Sequence, residues 1–180
     1  MGVPKSGLLF RGHPLLSRVI DSVRAGTSEV IVVIAPGQAH PAIEDAQTRV
    51  VEDSEPDGGP LMALHSGLAA SGGTLNWVVA CDMPFVDAPM LAMLTSLVDG
   101  YDAVLPIYAG VPQPLHAVYA ASCLPALEKL LDSGIRRLTD LAAAVRTRYV
   151  DESEWSRFSP DSRAFLSVDT PSQLVVAERL

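Results

Sequence analysis

Asp82 in "CDMPF" follows a short apolar run and stands two residues ahead of a proline, so it belongs where a strand has just ended. In an open α/β sheet that position faces the ligand crevice, where a carboxylate can hold Mg²⁺ against a phosphate. The competing use is to cap the next helix, for which Asp87 is better placed. Asp169 in "SVDTPSQL" repeats the pattern, as a cap for the last helix or as a second carboxylate completing a metal site with Asp82. At the other end of the chain, Gly2 and Lys5 in "MGVPKSG" read as the end of a phosphate-binding loop, with the Lys5 ammonium neutralising phosphate charge.

A further site is written in "EDSEPDGGPLMALHSGL". Gly58 and Gly59 permit close backbone approach to a ligand, Pro60 suits the first position of a helix, and amides near Leu61 could receive an anion or a base edge. Asp53 could contact nucleotide, metal or only its own turn. His116 in "QPLHAVY" lies within a strand pattern, as a core histidine or a substrate contact. Arg136 and Arg137 could take a substrate phosphate or form a solvated helix start.

These residues need a scaffold, and the pattern of apolar runs supplies one. Strands are expected at 30–34, 76–81, 103–105, 115–119, 165–168 and, more weakly, 148–150. Helices are expected over 14–25, 60–70, 88–98, 122–131 and 138–145, with Asp87 and Ser122 as caps and Gly134 past an end. Alternation of strand and helix predicts an α/β fold with a mostly parallel sheet. No repeat or linker divides residues 1–180, which reads as one domain.

Composition limits the partners. A formal charge of −8 argues against nucleic-acid binding, which needs basic surface to displace counterions. No apolar run approaches the ~18–20 residues that span a bilayer, and no basic-then-apolar leader is present, so no membrane partner and a cytoplasmic location are expected. Cys81 and Cys123 match no metal spacing and are expected as reduced core thiols. The sequence has no G-x-S-x-G elbow, no complete P-loop and no G-x-G-x-x-G after a strand. A lysine with carboxylate-held magnesium on an α/β sheet suits phosphoryl or nucleotidyl transfer.

The succession "MG..K..LL..GHPLL", "EDSEPDGGPLMALHSGL", "VVACDMPF", "QPLHAVY", "IRRL" and "FLSVDTP" resembles the molybdenum cofactor guanylyltransferases over essentially all 180 residues. The resemblance implies a Rossmann-like, three-layer nucleotidyltransferase fold that joins GMP from GTP to molybdopterin and releases pyrophosphate, with Mg²⁺ as cofactor. It also implies that molybdoenzymes or cofactor-delivery proteins are partners. On this basis Gly2 and Lys5 would contact nucleotide phosphate, Asp53 and the Gly59–Pro60–Leu61 turn the nucleotide, and Asp82 the magnesium. Asp169, His116, Arg136 and Arg137 would lie toward the pterin substrate.

The family pattern places a strand and a glycine-rich loop before "MG". Only "MG" of that loop occurs in these residues, which predicts a sheet lacking its first strand and showing two open inner edges. Cytidylyl transfer to the same pterin is the alternative activity. A non-catalytic pterin- or nucleotide-binding paralogue is the alternative class.

Overall fold

The computed structural model describes residues 9–43, 47–56 and 58–180; Gly2 and Lys5 lie outside them. Strands β1 (Leu9–Phe10) and β2 (His13–Pro14) form a small antiparallel pair ahead of helix α1 (Leu15–Arg24). Helix α1 buries Leu15, Val19, Ile20 and Val23 along one stripe. Strand β3 (Val30–Ile34) pairs in parallel with β4 (Thr48–Glu52).

Helix α2 (Gly59–Ala70) leads to β5 (Leu75–Val79), and α3 (Ala88–Ser96) to β6 (Ala103–Tyr108), which turns back as β7 (Val111–Pro112). Strand β8 (His116–Ala120) precedes α4 (Leu124–Asp132), α5 (Leu138–Ala144), β9 (Thr147–Val150), α6 (Glu152–Trp155) and α7 (Pro171–Glu178). Among the described residues no helix is long and apolar enough to cross a membrane.

Strands β5, β8, β6 and β9 lie side by side in that order. The expected parallel pairing holds for β3 with β4 and for β6 with β9. It fails at β8, which runs antiparallel to both β5 and β6. A β-turn and a short hairpin, rather than a crossover helix, feed β8, and such a connection reverses the chain.

Side-chain alternation across these strands builds two cores. Val104 and Val118 join α1, α3, Trp155 and Phe165 on one face. Ala103, Leu105, Ala117 and Tyr119 join α2, α4 and α5 on the other.

Several local expectations change. Residues 165–168 form no strand: Ser162–Phe165 is a 3₁₀ turn, capped where Asp161 accepts from the Arg163 amide at 3.0 Å. Ser122 caps nothing; it lies in a 3₁₀ turn and donates to Asp102 Oδ1 at 2.7 Å. Asp102 also accepts from Arg146 Nε at 2.9 Å, and these hydrogen bonds hold its carboxyl well below the usual range. Asp87 does cap α3, accepting from the Met90 amide at 2.8 Å. Cys123 is buried as expected, its thiol pushed up to about 12 by burial, whereas Cys81 is exposed just past β5. A buried thiol resists ionising because the thiolate loses its hydration.

Candidate active site

The end of β4 is tied to α2 by the hydrogen bond of Ser66 to Asp53, and the turn after β5 is tied to the segment before α7 by that of Val168 to Asp82. The turn after β5 carries Asp82, whose residue is 9% exposed. The "CDMPF" stretch is held from several directions. The Met83 amide donates to Ala80 O at 3.4 Å, and Arg18 of α1 donates from Nε to Pro84 O at 2.8 Å. Phe85 meets Phe10 edge-to-face at 5.6 Å, and the Arg163 guanidinium lies 5.2 Å from the Phe85 ring centroid.

The Val168 amide donates to the Asp82 carbonyl at 2.8 Å. That bond sets Asp169, one residue further on, beside the Asp82 turn although 87 positions separate them in the chain. Asp169 is exposed, and the cap of α7 belongs to its neighbour: Thr170 Oγ1 accepts from the Gln173 amide at 3.3 Å, within a capping box. Of the two uses foreseen for Asp169, capping is thereby taken by Thr170.

Asp53 follows β4 directly, and its amide donates to Ile34 O at 2.8 Å. Its carboxylate accepts from Ser66 Oγ at 2.6 Å and from the Ser54 amide at 3.0 Å. Nothing in the sequence marks Ser66 as a site residue. It looks like any polar residue on a helix, and only the packing of α2 against β4 brings it to Asp53.

Gly59 has φ of +71°, a conformation that glycine adopts without strain. Pro60 stands at the helix start as expected. Leu61 is corrected: its side chain is fully buried and its amide donates to Arg136 O at 3.4 Å, so neither faces a ligand.

Arg136 is likewise engaged within the fold. It donates to Leu131 O at 2.9 Å and Ile135 O at 3.0 Å, and forms a 3.4 Å ion pair with Glu55. It joins the α4–α5 turn to the loop after Asp53. Arg137 is exposed, and no described residue accepts from its side chain.

His116 is corrected from substrate contact to core residue. It is fully buried and meets Phe165 edge-to-face at 5.4 Å. Burial lowers its pKa to about 4 against the opposing pull of Asp87. A histidine neutral in the fold but protonated when unfolded makes stability fall as pH drops from about 6.5 toward 4. The expected loss is about 3 kcal/mol once pH passes below both values. Urea unfolding at pH 7 and pH 4 measures it, and in His116→Phe that part of the pH dependence should vanish.

The donor set can be tested for a metal. Among the described residues no group of three or more His, Cys, Asp or Glu side chains gathers to form a cage. Asp82 and Asp169 offer two hard oxygen donors on adjoining segments, which fits Mg²⁺, an ion that usually keeps several waters and takes oxygens from substrate phosphates. Pro60, Cys81, Asp82 and Leu115 are among the residues lining a cleft of about 810 Å³ that residues of β3 and β5 also line.

Known proteins resemble this chain in sequence and in fold. The model of the MobA-like NTP transferase domain matches residues 1–149. A "probable molybdenum cofactor guanylyltransferase" of Pelotomaculum thermopropionicum is 33% identical over 177 residues, covering 98% of this chain and 85% of that protein. The molybdenum cofactor guanylyltransferase of Syntrophotalea carbinolica is 28% identical, covering 94% and 80%.

Among solved structures, molybdopterin-guanine dinucleotide biosynthesis protein A of Archaeoglobus fulgidus superposes with a TM-score of 0.80 at 24% identity, covering 99% of this chain and 90% of that one. A 2-C-methyl-D-erythritol 4-phosphate cytidylyltransferase of Thermus thermophilus shares the fold with a TM-score of 0.71 at 18% identity, covering 98% and 93%. By the span of the family match and the near full-length identity to these relatives, the chain belongs to the MobA-like NTP transferase family.

Proposed function

We propose that this chain transfers GMP from GTP to molybdopterin, forming the guanine dinucleotide and releasing pyrophosphate. The observation that carries the reading is the Val168–Asp82 hydrogen bond, which sets Asp169 beside Asp82 at the strand ends. The relatives' names supply the substrates. The pterin's terminal phosphate attacks the α-phosphorus of GTP, the bond to the β-phosphate breaks, and pyrophosphate departs. No covalent enzyme intermediate is needed, so the protein's work is positioning and charge neutralisation.

Asp82 and Asp169 would hold Mg²⁺, which supplies neutralisation of charge on the phosphates. Asp53, fixed by Ser66, receives donor groups of the nucleotide at the entrance to α2, and Gly59 with Pro60 lets the backbone approach it. Arg137 pairs with the phosphate of the pterin. Gly2 and Lys5, outside the described residues, are assigned to the triphosphate by family resemblance. His116, Leu61 and Arg136 act by maintaining the fold around these groups.

We further read residues 1–180 as one Rossmann-like, three-layer domain working in the cytoplasm, with a molybdoenzyme or delivery protein downstream. The deciding measurement is Mg²⁺-dependent pyrophosphate release in the presence of molybdopterin. GTP is expected to outperform CTP by at least about tenfold in kcat/KM. A preference for CTP would replace guanylyl by cytidylyl transfer, and no release with either nucleotide would leave a binding protein.

A further inference from the structure

The Asp82 turn has no regular secondary structure to set its shape. Residues 80–87 lie between the end of β5 at Val79 and the start of α3 at Ala88. Within the turn the Met83 amide makes only a long bond to Ala80 O, 3.4 Å, and Pro84 has no amide to offer. Where the Asp82 carboxylate points therefore depends on what grips this backbone from outside.

One grip is the Val168 amide, which donates to Asp82 O at 2.8 Å. Another comes from α1, where Arg18 Nε donates to Pro84 O at 2.8 Å across 66 positions of chain. Pro84 is a buried residue, and a carbonyl away from water needs a donor. Arg18 stands at the border of the apolar stripe of α1, between buried Leu15 and Val19, and is itself half-buried. Its methylene stem packs there at little cost while the guanidinium keeps its charge and its planar set of donors.

The direction of that donor is fixed by a ring. The Arg18 guanidinium carbon lies 5.1 Å from the centroid of Phe10, and Phe10 meets Phe85 at 5.6 Å with 86° between the ring planes. A guanidinium seated on an aromatic face has its plane set by the ring, and the plane sets where Nε–H points. Arg18 thus reaches the turn twice, at Pro84 by a hydrogen bond and at Phe85 through Phe10. With Asp82 O held from the segment before α7 and Pro84 O held from α1, the backbone between them is tied at both ends. A displacement of about 1 Å at a reacting centre is enough to cost on the order of 10²-fold in rate, so these ties bear on chemistry.

We propose that Arg18 is a positioning residue for the transfer reaction: by holding Pro84 O it aims Asp82 at the metal and the phosphate. Arg18 touches neither of them in this role. The inference rests on the reading of Asp82 as a metal ligand, and the experiment separates the two.

The test compares Arg18→Met with Arg18→Gln. Gln places an N–H donor the same number of bonds from Cα as Arg Nε, whereas Met places a methyl group there, so the pair differs mainly in the bond to Pro84. Mn²⁺, standing in for Mg²⁺, is titrated into each full-length chain without nucleotide and followed by water-proton relaxation. The component of binding that Asp82→Asn removes is the one scored. Arg18→Met should weaken that component about tenfold and lower kcat about 10–100-fold, the scale for losing a group that orients a metal ligand. Arg18→Gln should restore both to within about threefold, and KM for GTP at saturating Mg²⁺ should stay within about twofold in either variant. In the parent chain, the ¹⁵N resonance of Arg18 Nε–H should exchange slowly with water and shift when Mn²⁺ is replaced by Mg²⁺ with GTP, a readout that needs no variant to fold.

Met and Gln variants that behave alike would show that the bond to Pro84 does not position Asp82. Undiminished Mn²⁺ binding with a raised KM for GTP in Arg18→Met would make Arg18 a direct phosphate contact instead. A fast-exchanging Nε–H would equally overturn the proposal. If Asp82→Asn left Mn²⁺ binding intact, the metal reading would fail and this inference with it; loss in Asp82→Asn but not in Arg18→Met would sink the inference alone.

Discussion

Asp82→Asn is expected to lower kcat for GTP-dependent pyrophosphate release by about 10²–10³-fold, the scale for losing one preorganised electrostatic group at a reacting phosphate. The substitution keeps the shape of the side chain and removes its charge. The backbone carbonyls of Ala80, Asp82 and Pro84 and the ring of Phe85 also hold the turn, so the variant should remain folded and its far-ultraviolet spectrum unchanged.

Asp87→Asn, five positions along the chain from Asp82, serves as the control. Its carboxylate caps α3 and accepts from buried Ser159 at 2.5 Å, so it should reduce stability while leaving kcat nearly unchanged. If Asp82→Asn kept its activity, Asp82 would be a structural residue and the metal assignment would fail.

Trp155→Ala is expected to cost about 3–5 kcal/mol, the usual range for truncating a buried large aromatic. Trp155 is 1% exposed, donates from Nε1 to Ile107 O at 2.8 Å, and lies 5.1 Å from Phe165 and 6.3 Å from Tyr108 between ring centroids. Truncation would leave a cavity and strand the Ile107 carbonyl. For a domain of this size the melting temperature should drop by on the order of 10 °C.

The same cluster supports Phe165, at the end of the 3₁₀ turn that leads to Val168 and Asp169. Loosening it should weaken the placement of Asp169 as well. Activity at temperatures where the variant remains folded should therefore fall along with stability. A melting temperature within 2 °C of the parent, on the ~2–4 °C per kcal/mol scale, would show that the cluster contributes little.

The elements most easily read from the sequence were those whose local signals agree with their packing. Val30–Ile34 emerges with the expected bounds because a branched apolar run has few other uses. Helix α3 starts where Asp87 and Pro89 direct, since a cap and a fixed φ act over one turn. The segment 165–168 was misread because Phe165, Leu166 and Val168 imitate a strand, while the side chain of Phe165 is claimed by Trp155, Tyr108 and His116. Ser122 was misread for a related reason: its hydroxyl has a better acceptor in the distant Asp102 than in its own helix.

By itself the sequence determined the alternation of strands and helices, the position of Asp82 just past a strand, and a turn at Gly58–Gly59 that opens a helix. These depend on neighbours within a few residues, where backbone sterics and side-chain periodicity act directly. Only the tertiary structure decided that β8 runs antiparallel, that Asp169 stands beside Asp82, that His116 and Leu61 are core, and that Ser66 holds Asp53. Each depends on which distant backbone or side chain becomes the partner. That choice follows from the simultaneous burial of both faces of the sheet and from pairing its polar groups, conditions that no local stretch can express.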